Sequence, residues 1–214
     1  PSSYAQPSHQ IADDQMSFYA DISNLGSQDQ TNVVLKAWVE DETGSILFAD
    51  STIIDVLNAG ILDSVIHIGE TYIAGTLPPE TTYSINYMVY SLDDPDGDFS
   101  PSNNFYSASF IVTDAQFSKD DGIGIEGVGE DADWMYANVY EMGDNEVLEG
   151  SFKVGTVSFS SARSSLIGPL DGEKVRILLF KVSEDVLPDW SNFDLTSIGQ
   201  DDHLELIGID TFEF

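Results

Sequence analysis

The stretch Asn32-Val-Val-Leu-Lys-Ala-Trp-Val-Glu40 decides the fold of the first half of the chain. Alternate residues of this stretch are apolar and form one row: Val33, Leu35, Ala37 and Val39. Successive side chains of a β-strand point to opposite faces of the sheet, so a period of two predicts a strand with one buried face. We therefore expect the stretch to lie in a sheet, with this row facing a core.

Strands with the same alternation are predicted on both sides of this stretch. Phe18, Ala20 and Ile22 share one face of an earlier strand, which stops at the turn Asn24-Leu-Gly26. Later in the chain, Asp41-Glu-Thr-Gly44 predicts a hairpin turn. Further strands are predicted over 45–50, 65–68, 72–74, 81–90 and 105–112.

Two segments of this half carry weaker signals. Residues 1–14 are polar and include Pro1 and Pro7, so we expect an extended lead-in. Segment 52–63 could form a short helical face, but Asn58 and Gly60 weaken that pattern, and we predict an irregular crossover. About seven strands with almost no helix predict an antiparallel sandwich of immunoglobulin type over residues 1–114.

A second β-domain is predicted over residues 115–214, after a junction at 110–124 where the composition changes. Its most hydrophobic strand is Lys174–Val182. Other strands are predicted over 134–142, 152–159, 189–195, 203–209 and 211–214. The fold class predicted for the whole chain is all-β, with two antiparallel β-sandwich domains, the second of jelly-roll type.

The charge of the chain excludes several classes of partner. Its 214 residues include 38 acidic and 7 basic side chains, which gives a net charge of −31. Such a field repels phosphate backbones and anionic lipid, so we expect neither nucleic-acid binding nor membrane attachment through basic patches. No apolar run in the sequence approaches the roughly 20 residues needed to span a bilayer, so we expect no membrane insertion. The acidity has two explanations, a well-hydrated surface or sites for divalent cations. The absence of cysteine excludes disulfides, thiolate metal sites and cysteine nucleophiles.

One acidic loop has the composition of a calcium site. Its candidate ligands are Asp93, Asp94, Asp96, Asp98 and Asn103. Carboxylates at alternate positions around a glycine turn resemble the first half of a calcium loop, and Ca²⁺ requires six to eight oxygen ligands. The alternative is an acidic turn without an ion. A weaker cluster near the junction contains Asp120, Asp121, Glu130, Asp131 and Asp133.

No catalytic arrangement is predicted. Residues 122–129 contain a formal Gly-x-Gly-x-x-Gly, but acidic residues on both sides would lie beside a pyrophosphate, so we interpret it as a flexible glycine-rich segment. His9, His67 and His203 lie far apart without a metal-binding spacing, and no Gly-x-Ser-x-Gly motif is present. We therefore predict that the protein is not an enzyme.

Three aromatic residues are candidates for a binding surface. Trp38, Tyr90 and Tyr106 are out of phase with the apolar rows of their strands. They could form a platform that stacks on sugars or a contact with a neighbouring module of the same polypeptide, or they could cover the sheet edge and pack under the acidic loops. We favour the packing role and keep the surface glycan as the alternative.

The order of several motifs resembles a family of bacterial surface modules. These motifs are "ADISNLGSQDQTNVVLKAWV", "TTYSINYMVYS", "SPSNN" and "FIVTD", with the Asn24-x-Gly26 turn and the pair Asn103-Asn104. In this order they resemble the immunoglobulin-like modules, related to CARDB adhesion modules, of Bacteroidetes-type secreted cell-surface proteins exported by type IX secretion. The segments "VTDAQFSKDDGIG" and "YANVYEM" resemble the β-rich domain that follows such modules.

The resemblance implies an extracellular, cell-surface protein with a structural or adhesive role. Since the chain begins at Pro1, we expect a mature or excised piece of a longer polypeptide. Two mechanisms fit this role. The domains could act as monomeric spacers or ligand-binding modules, or they could be repeating subunits in which residues 1–14 or 211–214 complete the sheet of a neighbour and build a filament by strand addition. The alternative function is an accessory carbohydrate- or substrate-binding region of a secreted hydrolase.

Overall fold

A computed structural model describes residues 4–12, 14–94, 98, 100–119, 138, 140, 154–159, 171–172, 174–182 and 204–214. The chain divides into two compact units. The first unit contains the described residues up to 119 together with 138, 140 and 154–155, and the second contains 156–159, 171–172, 174–182 and 204–214. The described residues are almost entirely β-structure, so the all-β prediction is confirmed.

The strands of the first unit are long in the middle of the chain and short at its start. Their bounds are β1 Ala5–Pro7, β2 Gln15–Met16, β3 Tyr19–Ile22, β4 Gln30–Asp41, β5 Ile46–Leu57, β6 Ser64–His67, β7 Tyr72–Ile73, β8 Thr81–Ser91 and β9 Phe105–Thr113. A short helix α1, Ser8–Ile11, and a 3₁₀ helix, Pro101–Asn104, complete the unit. The second unit contributes β10, Lys174–Val182, and β11, Leu204–Glu213.

The first unit is a sandwich of one large sheet and two small ones. The large sheet has the strand order β1-β9-β8-β4-β5, in which β1 and β9 are parallel and the other neighbours are antiparallel. The antiparallel pairs β2-β7 and β3-β6 form the small sheets. Phe18, which lies between β2 and β3, stacks on Phe48 of β5 with ring centroids 5.1 Å apart. Both layers therefore contribute to one hydrophobic core.

The predicted inward row of β4 is buried. Val33, Leu35, Ala37 and Val39 are each at most 3% exposed. They pack with Phe18 and with residues of β8 and β9 in the same core. Fully burying an aliphatic or aromatic side chain of this size contributes about 1.5–3 kcal/mol. The alternation read from the sequence therefore identifies the principal apolar contacts of the unit.

Two predictions for the first unit are wrong in part. Residues 52–57 belong to β5 and pair with the start of β4, and only 58–63 form an irregular connection. The helical pattern in this segment gives way because the neighbouring strand supplies a full row of backbone partners. The extended lead-in is found only in part: Ala5–Pro7 form a strand beside β9, but Ser8–Ile11 form a short helix in which Ile11 is fully buried.

The most hydrophobic strand predicted for the second unit is present in the structure. Lys174–Val182 has the predicted bounds, and it pairs antiparallel with β11, a single strand where two were expected. Residues 154–159, predicted as part of a strand, have no regular secondary structure. The predicted strands over 134–142 and 189–195 lie outside the described residues except for 138 and 140. The jelly-roll arrangement and the boundary at residue 114 stay predictions.

Replacing Phe18 with alanine tests the shared core. Phe18 is 1% exposed, and its ring also lies 6.4 Å from that of Tyr87. We expect Phe18→Ala to lower the free energy of unfolding by about 3–5 kcal/mol, because it leaves a cavity between the layers. Tyr19→Ala is the matched control, since Tyr19 is 58% exposed. Urea unfolding followed by circular dichroism compares the two, and equal losses would contradict a core that spans both layers.

Candidate functional site

The acidic loop is tied to the start of β4 through Asp93. Its Oδ2 atom accepts hydrogen bonds from Thr31 Oγ1 at 2.5 Å and from Asn32 Nδ2 at 2.8 Å. Both donors lower the pKa of Asp93, with Thr31 making the larger contribution. Asn32 adopts a left-handed backbone conformation with φ of 48°, which asparagine tolerates better than most residues. Asp93 therefore joins the end of β8 to the neighbouring strand.

The other proposed calcium ligands have separate roles. Asp94 donates its backbone N–H to Ser91 Oγ at 3.2 Å, and Asp98 Oδ1 accepts the N–H of Ser100 at 2.7 Å. Asn103 belongs to the 3₁₀ helix and donates its backbone N–H to the carbonyl of Ser100 at 3.1 Å. Asp96 lies outside the described residues.

Within the described ranges, no three acidic or histidine side chains are grouped in a way that could hold a metal ion. Calcium binding by the acidic loop therefore stays a prediction. The second acidic cluster, Asp120, Asp121, Glu130, Asp131 and Asp133, falls outside the residues that the structure describes, as does His203. His67 lies on β6 beside Tyr19, with ring centroids 5.5 Å apart.

The pH dependence of stability tests the role of Asp93. Its pKa is lowered in the folded protein, so its contribution is present above the unfolded pKa of about 3.9 and is lost as pH falls through the folded value. We expect Asp93→Ala to lower the melting temperature at pH 7, and the difference from the parent to shrink below about pH 4. Asp94→Ala is the control, since only the backbone of Asp94 makes a hydrogen bond here. A difference independent of pH would contradict this role.

Calcium binding by the acidic loop can be tested separately from the hydrogen bonds of Asp93. A ligand that binds only the folded chain at 100 times its dissociation constant stabilises it by about 2.7 kcal/mol. If the loop binds calcium, millimolar calcium raises the melting temperature relative to chelator, and Asp98→Asn reduces the rise. An identical melting temperature with calcium and with chelator would contradict the prediction.

The Asn24-x-Gly26 turn has a structural function. The side-chain amide of Asn24 is buried and donates hydrogen bonds to the carbonyls of Gln28 at 2.9 Å and Leu57 at 3.0 Å. Asn24 Oδ1 accepts the N–H of Gly26 at 3.0 Å, and a Cβ at Gly26 would lie only 3.0 Å from that oxygen. Residue 24 thus fixes the end of β5 against the loop that precedes β4.

The predicted aromatic platform does not come together as a set of three. Trp38 and Tyr90 lie on the outer face of the large sheet, whereas Tyr106 pairs with Tyr87 and lies on the inner face. Trp38 Nε1 donates to Glu40 Oε2 at 3.0 Å, and Lys36 Nζ lies 5.4 Å from the centroid of the Trp38 ring. Contacts within the sheet therefore already engage both the indole N–H and the ring of Trp38.

One end of the large sheet is closed by the chain itself. Ile111 donates its N–H to the carbonyl of Tyr4 at 2.7 Å, which holds β1 beside β9. On the other side of β1, Ala5 and Ser118 exchange two backbone hydrogen bonds of 3.0 and 2.9 Å. The lead-in proposed as a donor strand is thus paired within its own chain. The same holds for residues 211–213, which pair with β10.

No described strand closes the opposite end of the large sheet. β5 contains 12 residues and pairs with β4 along one edge, and no strand among the described residues pairs with its other edge. Its exposed aliphatic side chains are Ile46, Leu47, Ile53 and Val56. Sequence reasoning missed this edge because half of β5 was interpreted as a crossover. A long, partly apolar edge strand offers unpaired backbone groups to another strand.

Comparison with protein-family models, with curated proteins and with solved structures gives no significant match to this chain. In the part of the chain that the structure describes, no helix has the length and apolar character needed to span a bilayer.

Proposed function

We propose that this chain is a non-catalytic structural or adhesion module of an extracellular bacterial surface, and that its copies associate by strand addition. The open edge of β5 carries the proposal. The surface location rests on the resemblance of the first half to secreted immunoglobulin-like modules. Strand addition at an open edge combines backbone hydrogen bonds, which supply affinity, with alternate side chains, which supply specificity.

The two ends of the large sheet differ in a way that favours this function. β1 and Ser118 close one end, as natural proteins often do to prevent edge-to-edge pairing. β5 also lies at the end of the sheet, but no described strand covers it. It carries exposed aliphatic residues, with Ile53 at 58% exposure. Such a strand becomes less exposed when another strand adds to it. The acidic surfaces of two copies repel each other, which opposes association through other parts of the surface.

The alternative function, carbohydrate binding as an accessory region of a hydrolase, would place Trp38 at its centre. A sugar stacking on this ring would compete with Lys36 on the ring, and Glu40 already accepts the indole hydrogen bond. We therefore favour assembly as the function.

Replacing Ile53 with lysine tests assembly through the edge. We expect the parent chain to grow in mass with concentration, as measured by light scattering, and Ile53→Lys to reduce that growth because a charge on an edge strand opposes pairing. The matched control is Ile73→Lys on β7, where the isoleucine is 57% exposed. A parent that stays monomeric at all concentrations contradicts the proposal, as does equal assembly of the parent and Ile53→Lys.

A further inference from the structure

The strand β10 differs in charge from the rest of the chain. It carries Lys174, Arg176 and Lys181 without an acidic residue, although the whole chain has only 7 basic side chains and a net charge of −31. Lys174 forms an ion pair with Glu213 at 3.3 Å. Arg176 and Lys181 are exposed and make no ion pair with any described residue. β10 is therefore a strongly basic strand in an acidic protein.

Among the described strands, β10 pairs with β11 alone, and none pairs with the edge of β10 that faces away from β11. The irregularity in this pair leaves Ile207 of β11 as the extra residue, so β10 keeps a regular alternation. Likewise, Leu47 is the extra residue of β5 opposite β4, and 48–57 is regular. Both open edges thus present regular strands of nine residues or more.

The charges of these two edges have the same spacing. Asp50 and Asp55 of β5 are five residues apart, as are Arg176 and Lys181 of β10. In an antiparallel register that places Asp50 opposite Lys181, Asp55 lies opposite Arg176. Opposite charges directly across an antiparallel pair are stabilising. Every residue of β10 has a partner from Ala49 to Leu57 in this register.

Four of the seven remaining pairs in this register are apolar on both sides, and the other three pair a polar with an apolar residue: Ser51 with Phe180, Thr52 with Leu179, and Leu57 with Lys174. Aliphatic residues face aliphatic residues at four positions: Ala49 with Val182, Ile53 with Leu178, Ile54 with Ile177, and Val56 with Val175. A displacement of two residues in one direction places Asp50 opposite Leu179. The same displacement in the other direction places Lys181 opposite Thr52 and Arg176 opposite Leu57. Neither displaced register satisfies both carboxylates.

We propose that β10 of one copy adds antiparallel to the open edge of β5 of a second copy, with Asp50 paired to Lys181 and Asp55 paired to Arg176. This inference rests on the proposed assembly function and names its partner. Pairing β5 with a second β5 would bring acidic strands together without a basic side chain. Because the two surfaces differ, the contact is heterologous, and repeated contacts of this kind build an open filament or a ring.

Exchanging charges between the strands tests this register in the full-length chain. We expect Asp50→Lys and Lys181→Asp each to weaken association about fivefold, the factor expected when an exposed ion pair worth about 1 kcal/mol is lost. The double variant with both changes restores association. Its matched control combines Asp50→Lys with Arg176→Asp, which has the same net charge but places like charges opposite each other at both positions. We expect this control to associate more weakly than either single variant.

Asp50 Oδ2 accepts a hydrogen bond from the Glu70 N–H at 3.2 Å, and Asp50→Lys removes it. Both double variants contain this substitution, so the effect of the lost bond cancels when their association is compared. Circular dichroism verifies that each variant is folded. Restoration by the control double variant, and not by the first, would overturn the antiparallel register in favour of a parallel one. Unchanged association in every charge variant would overturn β10 as the partner. If Ile53→Lys still abolished assembly in that case, strand addition at β5 would stand without β10.

Cross-linking gives an independent readout, because the chain has no natural cysteine. A chain with Ile53→Cys is mixed with a chain with Leu178→Cys under mild oxidation, and we expect a disulfide-linked pair on a non-reducing gel. The control replaces Leu178→Cys with Ile177→Cys, whose side chain lies on the other face of β10. Equal cross-linking in the two mixtures would overturn the proposed register.

Discussion

Burial of the inner face of β4 is the constraint on which the first unit depends. β4 is flanked on both sides by long antiparallel strands, so its backbone groups have partners in the sheet while Val33, Leu35, Ala37 and Val39 lie against the small sheets. A displacement of β4 by one residue would exchange this row for Lys36, Trp38 and their neighbours, which would place a cation in the core. The register of β4 is therefore strongly specified, and with it the positions of β5 and β8.

The alternation of apolar and polar residues predicted most of this unit, because a strand with one buried face has an apolar residue at every second position. Contacts distant in sequence were not predictable in the same way. The partners of Asp93 are Thr31 and Asn32, some 60 residues earlier, and no local pattern links them. The extension of β5 to Leu57 likewise depends on pairing with β4. Tyr106 was assigned to the outer face, although its partner Tyr87 packs beside Phe18 on the inner face.

The aspartates of the acidic loop have a composition that suits either of two roles, cation ligand or hydrogen-bond acceptor. The carboxylates at 93–98 have the composition of a cation loop, but Asp93 accepts two side-chain hydrogen bonds and Asp98 accepts a backbone N–H. The two bonds to Asp93 stabilise its ionised form and lower its pKa. All three bonds use oxygen lone pairs that a cation would require. In a chain with 38 acidic residues, hydrogen bonds and strand pairing distinguish one carboxylate from another better than composition does.

The net charge of the chain constrains how two copies could recognise each other. Two chains of −31 repel at a distance, so a productive contact needs a local reversal of charge or enough burial to offset the repulsion. Apolar edges alone would pair in several registers, because Ile53, Ile54 and Val56 can face many aliphatic neighbours. Charged residues at a fixed spacing reduce that ambiguity, since a register displaced by two residues leaves at least one of the two carboxylates without a basic residue opposite it. An acidic edge strand and a basic edge strand on the same chain therefore favour directional assembly over unspecific aggregation.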